Sequence, residues 1–409
     1  MDYVEYDPTI TEDQAELRAA ARRFAADVLR PAGVAIDRMP AQAVVARGSL
    51  LFDVLRQAAA LGYTRLGGTP ELGGLALSPV SRHLVYEELA WGSLGLTAVI
   101  FLTSTHAEVA LASGNAAAVD EFARPFFACR DGSVIGCWAI TEPDHGSDTL
   151  GVVRPELVVQ ARGQVVARRD GDDWLLSGQK SAWVSNGPIA THAMLNVQLE
   201  PGHGLDRGGV CLLPLDLPGV SRGPALEKHG VRSLPQGELF FDDVRVPGRW
   251  MVLGTEAYVP YMHAHLAVFN AGVGTIATGL ARAASECALA YTKERVQGGR
   301  PIFAHQSVRA RLFRMFQLVQ ASRAFSRGVW VRALGDLEAG RPPALEHSIA
   351  AKVFCTTAAL EVATLAVQLH GGNGMTREYP VEMFMRDAAA LTIADGENAF
   401  LSQIGASLL

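Results

Sequence analysis

The chain has 409 residues, 49% hydrophobic and 19% charged, a balance that excludes disorder and supplies enough apolar side chains for two or three packed domains. Thirty-six basic against 42 acidic residues give a net charge of −6, so no positive field exists to hold nucleic acid or anionic lipid. There is no uninterrupted apolar run of about 18 residues, and the first 14 residues are acidic and polar, so the expectation is a cytoplasmic chain without a membrane span. In chain order, Thr11 and Gln14 have the spacing of a capping box, and Leu17, Ala20, Ala21, Phe24 and Val28 recur at helical spacing until Pro31. Further helices are predicted over 51–61, 81–91, 97–113 and 116–127, with Gly and Pro between them. From 134 the pattern changes to short branched apolar runs at 134–140, 174–177, 193–197 and 239–246, which read as strands. After Pro247 long Ala-rich helical patterns occupy 264–297, 306–338, 345–369 and 381–392, suited to close packing in a bundle. The plan is a helical domain over 1–133, a β domain over 134–250 and a helical bundle over 251–409.

Generic motifs give little. No phosphate-binding glycine loop is present: His370-Gly371-Gly372-Asn373-Gly374 follows a helix and carries Arg377 where a third glycine would stand, so it reads as a helix stop. His263 and His265 are two apart on a predicted helix and no paired-cysteine or H-E-x-x-H pattern occurs, so no metal is expected. The five cysteines, Cys129, Cys137, Cys211, Cys287 and Cys355, are odd in number and far apart, and read as reduced thiols in apolar surroundings. A serine nucleophile elbow is missing.

Four stretches taken together say more. Trp138-Ala-Ile-Thr141-Glu142-Pro143-Asp-His-Gly146-Ser147-Asp148 and Gly178-Gln-Lys180-Ser-Ala-Trp183-Val-Ser185-Asn186-Gly187 resemble the two β-domain signatures of acyl-CoA dehydrogenases. Glu294-Arg295 through His305-Gln306 is similar to the family's arginine and glutamine block, and Gln368 to Gly374, Glu378 to Glu382 and Arg386-Asp387-Ala388 resemble its C-terminal signature. The resemblance spans nearly the whole chain. It implies an α+β fold with an N-terminal helical domain, a middle β-barrel or sandwich and a C-terminal four-helix bundle. It also implies FAD, a homotetramer or homodimer, electron-transferring flavoprotein as oxidant, and α,β-dehydrogenation of an acyl thioester carried on coenzyme A or an acyl carrier protein.

Residue by residue, the resemblance places Trp138, Thr141, Trp183 and Ser185 around the flavin, with Ser185 standing where a threonine is common. Ser147 falls where the family meets the pantetheine arm of the thioester. Arg295 would meet the FAD pyrophosphate, with Gln297 in the adjoining loop, and Gln306, Gln368, Gly371 and Gly372 would complete the site from a neighbouring subunit. The chemistry needs a carboxylate to take the α proton while the β hydrogen leaves as hydride to the flavin. Gapless alignment from Arg386 puts Asp395-Gly396-Glu397 where the family has Glu-Gly-Thr, so Asp395 takes the base position, one methylene short, and Glu397 is the alternative. The other position that carries the base in the family is occupied here by Phe269, next to Asn270, and neither can abstract a proton. The run Gln297-Gly298-Gly299-Arg300-Pro301 also departs from the usual Thr-Phe-Gly. Two further readings share the fold: an oxygen-using oxidase or monooxygenase, and an idle relative that keeps FAD.

Overall fold

The computed structural model describes Glu5 and residues 7–409. The first third is helical: α1 (Glu12–Phe24), α2 (Arg30–Asp37), α3 (Ala41–Val44), α4 (Leu50–Ala60), α5 (Pro79–Gly92), α6 (Leu94–Leu102), α7 (Thr105–Ala112), α8 (Ala116–Ala118) and α9 (Arg124–Ala128). The capping box is present, with Thr11 Oγ1 accepting from Gln14 N–H at 3.3 Å and Gln14 Oε1 accepting from Thr11 N–H at 3.1 Å. The chain does not stop at Pro31. A π turn over Ala25–Leu29 carries the helical path into α2, and Pro31, which has no N–H to donate, falls directly after that widened turn. The single helix expected over 97–113 is two, α6 and α7. At the break Thr103 and Thr105 donate their hydroxyls to the carbonyls of Ile100 (2.7 Å) and Leu102 (3.0 Å), which offers the backbone an alternative to continued helix.

The middle segment contributes β1 (Gly136–Ala139), β2 (Val166–Asp170), β3 (Asp173–Lys180), β4 (His192–Gln198), β5 (Gly208–Pro214), β6 (Val220–Arg222), β7 (Leu239–Pro247) and β8 (Met251–Leu253). Among the described residues these form one eight-stranded sheet in the order β6-β7-β3-β2-β4-β5-β8, with β1 parallel to β4 off that path. Period-two alternation gives the sheet two apolar faces. Cys137 and Ala139 face an inner core with Val165, Leu176, Leu195, Leu213 and Phe241, whereas Trp138, between them, joins the larger core of the helices. The strands β2, β5, β6 and β8 lie outside the predicted runs: β2 is mostly charged, β5 opens with two glycines, and β6 and β8 are very short.

Helix α10 (Thr255–Glu294) starts earlier than expected, and Pro260 is tolerated close to its beginning. A short hairpin, β9 (Val296–Gln297) and β10 (Arg300–Pro301), turns through Gly298 and Gly299 at φ 63° and 79°, the left-handed geometry of a tight two-residue turn. Then come α11 (Gln306–Glu338), α12 (Leu345–His370), α13 (Val381–Leu391) and α14 (Asn398–Ala406). The stretches Leu94–Ala112, Thr255–Glu294 and Leu345–Met375 are long and apolar enough to cross a membrane by length and composition, although none is an uninterrupted apolar run. Their apolar windows are 78%, 83% and 56% buried against the rest of the protein.

Two charged clusters fix the segments to one another. Glu87 of α5 accepts from Arg282 of α10 (2.8 Å) and Arg323 of α11 (3.0 Å), all three buried. Arg386 of α13 binds Asp37 of α2 (2.7 and 3.0 Å), Glu382 (2.7 and 3.1 Å) and the carbonyl of His229 in the β segment (2.7 Å).

Candidate active site

The two β-domain stretches meet at one edge of the sheet. Ser181 N–H donates to the Thr141 carbonyl at 2.9 Å, and the two hydroxyls, Thr141 Oγ1 and Ser181 Oγ, lie 2.7 Å apart. Next to them Glu142 and Lys180 form a buried ion pair at 2.7 Å. Glu142 also accepts the N–H groups of Gln164 (2.6 Å) and Val165 (3.0 Å), and Lys180 donates to the Ile140 carbonyl (3.1 Å). Burial pushes the Glu142 carboxyl up, but Lys180 and the two N–H donors outweigh it and hold the group below the usual range, so the pair is ionised. This arrangement pins the loop that follows β1. Sequence reasoning quoted Lys180 within a motif but gave it no work, because its partner is 38 residues away in the chain.

Between this loop and the turn after β3 lies an open cleft of about 390 Å³, lined by Glu142, Asp144, His145, Ser181, Trp183 and Glu238. Trp183 stands 59% exposed on its wall. One amide, Gln236 Nε2, donates both to the Trp183 carbonyl (3.2 Å) and to Ser185 Oγ (3.1 Å). Asn186, at φ 62° and fully buried, donates to the carbonyls of Val99 and Gly136, both 3.2 Å away, and sets the turn after Ser185. Gln236 could not be found from local sequence, since it acts from a separate loop.

Trp138 is placed differently from its expected neighbours. Its indole is 6% exposed, donates to Asn196 Oδ1 at 2.8 Å, and packs edge-on against His265 (4.6 Å) and Phe269 (5.0 Å) of α10. It does not line the cleft that carries Trp183. Phe101 continues the ring contacts from Phe269 to Tyr86 and Trp330. His265 shares this aromatic wall, with burial lowering its pKa to about 3, so it is a neutral ring rather than a charged surface residue.

The Asp395 turn joins α13 to α14 on the far side of Ser147. Asp395 has φ +51° and Gly396 φ +102°. A Cβ at Gly396 would sit 2.7 Å from Leu401 and 2.9 Å from Leu150, so the residue after Asp395 must be glycine. Ser147 Oγ accepts the Glu397 N–H at 2.9 Å, which ties the turn to the same loop that lines the cleft. Glu397 is the N-cap of α14: its carboxylate accepts Ala399 N–H at 2.9 Å and Phe400 N–H at 3.0 Å, and these bonds hold its pKa below the usual range. Asp395 is half-buried and, among the described residues, its carboxyl has no hydrogen-bond partner. Burial pushes it up; the ammonium of Lys352 opposes this without cancelling it.

The remaining predicted residues gather at one end of the bundle. Tyr291 of α10 stacks on His370 of α12 at 4.1 Å, its hydroxyl donates to the His370 carbonyl at 3.2 Å, and it accepts from Asn373 Nδ2 at 3.0 Å, which brings the Arg295 and Gly371 segments together. Arg295, Gln297, Gln306, Gln368, Gly371 and Gly372 are all exposed. Among the described residues the Arg295 guanidinium has no ion-pair partner, and a Cβ on Gly371 or Gly372 would meet nothing within 4 Å. Gly371, at φ 60°, does close α12 as a helix stop.

These two groups fit FAD in complementary ways. The first has an exposed indole and anchored hydroxyls suited to a ring system. The second has an unpaired guanidinium, amide side chains and open glycine backbone suited to a pyrophosphate. No hydrogen bond or ring contact among the described residues joins one group to the other.

Comparisons with known proteins agree with this arrangement. Residues 11–128 match the acyl-CoA dehydrogenase N-terminal domain, 137–244 its middle domain and 259–409 its C-terminal domain. The chain is 30% identical over 394 residues to a probable acyl-CoA dehydrogenase of Mycobacterium leprae, covering 95% of this chain and 93% of that one. It is also 30% identical over 416 residues to the 3-sulfinopropanoyl-CoA desulfinase of Paraburkholderia xenovorans, covering 98% and 97%. Butyryl-CoA dehydrogenase of Megasphaera elsdenii has the same fold, with a TM-score of 0.85 at 26% identity over 100% of this chain and 99% of that one. The chain belongs to the acyl-CoA dehydrogenase family, FAD-dependent oxidoreductases that act on CH–CH bonds.

Proposed function

We propose that this protein dehydrogenates an acyl-CoA thioester across its α and β carbons, with Asp395 as the base that takes the α proton. The observation that carries the reading is the state of Asp395: a half-buried carboxyl without a hydrogen-bond partner among the described residues, in a turn tied through Ser147 to the cleft loop. Burial raises its pKa and thereby its basicity, while the turn keeps its direction fixed. Glu397 is the weaker candidate for this role, because both its oxygens accept backbone N–H groups of α14. Ser147 keeps its hydroxyl proton for an acceptor on the thioester, since its oxygen already receives Glu397 N–H. Bound FAD supplies the acceptor for the β hydride. Thr141, Trp183 and Ser185 hold its ring side, and Arg295 with Gln297, Gln306, Gln368, Gly371 and Gly372 hold the pyrophosphate side. Because the second set is exposed and open, it serves a second copy of the chain, in a homodimer or homotetramer. Electron-transferring flavoprotein is the proposed oxidant. A structure entitled for the electron transferring flavoprotein of Acidaminococcus fermentans includes a chain of this fold, at TM-score 0.84 and 26% identity.

The test is anaerobic titration of the purified flavoprotein with butyryl-, octanoyl-, isovaleryl- and glutaryl-CoA. One of them is expected to bleach the flavin band, and Asp395→Asn to slow that reduction by about 10²- to 10⁴-fold with FAD still bound. Reduction should also fall away on acidification through the raised pKa of Asp395, because only the ionised carboxyl is a base. Full activity in Asp395→Asn, or no bleaching by any thioester, overturns the reading.

A further inference from the structure

The base turn has a feature that its sequence does not explain. Asp395 is a non-glycine residue in the left-handed region, a conformation that costs about 1–2 kcal/mol and persists only where surrounding contacts over-determine it. Gly396 packing, the Ser147 bond and the Glu397 cap act on the two residues that follow it. The fourth support comes from beneath, from the middle of α12. Lys352 is fully buried, and its ammonium donates to the Gly396 carbonyl at 2.6 Å and to Asn398 Oδ1 at 2.8 Å. Asn398 is itself held by Thr356, one turn further along α12, through Nδ2 to Oγ1 at 3.1 Å. A lysine buried to this degree is costly unless its charge is used.

We propose that Lys352 is a positioning residue for the base: it clamps the Asp395-Gly396-Glu397 turn from α12 and keeps the Asp395 carboxyl ionised. This rests on the reading of Asp395 as base. The charged group that faces Asp395 is Lys352 from α12, which Glu397 of the same turn also faces, whereas the β-domain meets the turn at Gly396 and Glu397 with the neutral Leu150 and Ser147. Lys352 is therefore the one positive charge set against the desolvation of Asp395 among the described residues. Its own pKa is lowered to about 8 by burial, with Asp395 and Glu397 pulling the other way.

The experiment separates hydrogen bond from charge. Lys352→Gln keeps an N–H for the Gly396 carbonyl and removes the charge; Lys352→Arg keeps the charge. Flavin reduction by whichever of the four thioesters bleaches the wild type is followed against pH, with the dissociation constant of that thioester measured separately. In Lys352→Gln the acid limb is expected to move up by about 1 pH unit, and reduction on the acid side, well below the wild-type limb, to fall by about tenfold with thioester binding within threefold of wild type. Lys352→Arg should return the limb towards its wild-type position. An unmoved limb in Lys352→Gln overturns the proposal and leaves Lys352 a structural residue. A second readout needs no turnover: thermal unfolding of the wild type, Lys352→Gln, Asp395→Asn and the double variant. Positioning predicts that the two single effects do not add, and additivity counts against it. If no thioester is oxidised, the reading of Asp395 fails, while this cycle still reports whether the two side chains are coupled.

Discussion

The two halves of the proposed cofactor site are built in opposite ways. The β-domain half is finished within one chain: Glu142 and Lys180 neutralise each other out of water, Thr141 and Ser181 are strapped together, and Gln236 braces Trp183 and Ser185. The bundle half presents Arg295, Gln297, Gln306 and Gln368 to solvent, with two glycines whose surroundings are open. The lesson is that internal satisfaction and exposure mark different tasks. In the proposed reading the first surface is preorganised for a planar group, and the second is left for a ligand and a further copy of the chain to complete.

If that contrast is right, damage to the first half should cost stability and damage to the second should not. The largest effect is expected for Lys180→Met, which strands the buried Glu142 carboxylate and should lower unfolding free energy by about 3–5 kcal/mol in urea titration, with loss of FAD as the strap loosens. An unaltered midpoint would remove the ground for calling this half preorganised. Arg295→Gln should change stability by no more than about 0.5 kcal/mol yet weaken FAD retention, read by ultrafiltration, by about tenfold or more. If another copy supplies half the site, as proposed, retention by the wild type should also fall on dilution. The smallest effect is expected for Glu397→Gln, a weakened cap worth about 1 kcal/mol or less. Glu397 is held below its ordinary pKa, so its contribution is present above that ordinary value and is lost as pH falls through the lowered one. The glutamine variant should lack this acid-side loss and should reduce its flavin at the wild-type rate.

Much of this was legible from residues. Long periodic helices announced the bundle, and Thr11 with Gln14 announced the first cap, because both signals are local. The failures were also physical. Strand β2 is mostly charged because only one part of it meets the inner core, so it carries no apolar run. The break between α6 and α7 depends on two threonine hydroxyls choosing backbone carbonyls. At the proposed site, gapless alignment offers Asp395 and Glu397 alike, since a cap and a carboxyl without a partner differ only in which N–H groups lie nearby. The motifs group Trp138 with Trp183, but alternation along β1 turns the Trp138 ring into the helical core, away from the face of Cys137 and Ala139. Lys352 sat unnoticed in an Ala-rich helical run, 43 residues before the turn it supports.

The guanidinium of Arg386 touches all three segments at once, through Asp37, its own helix and the His229 carbonyl. Three domains that can be told apart by pattern are thereby made to melt as one. Scanning calorimetry should give a single transition whose van't Hoff and calorimetric enthalpies agree. In Arg386→Leu, with the shared tie cut, the profile should broaden and split. Limited proteolysis of the intact protein should accordingly yield no stable fragment ending near residue 133 or 250, because neither boundary separates parts that can stand alone.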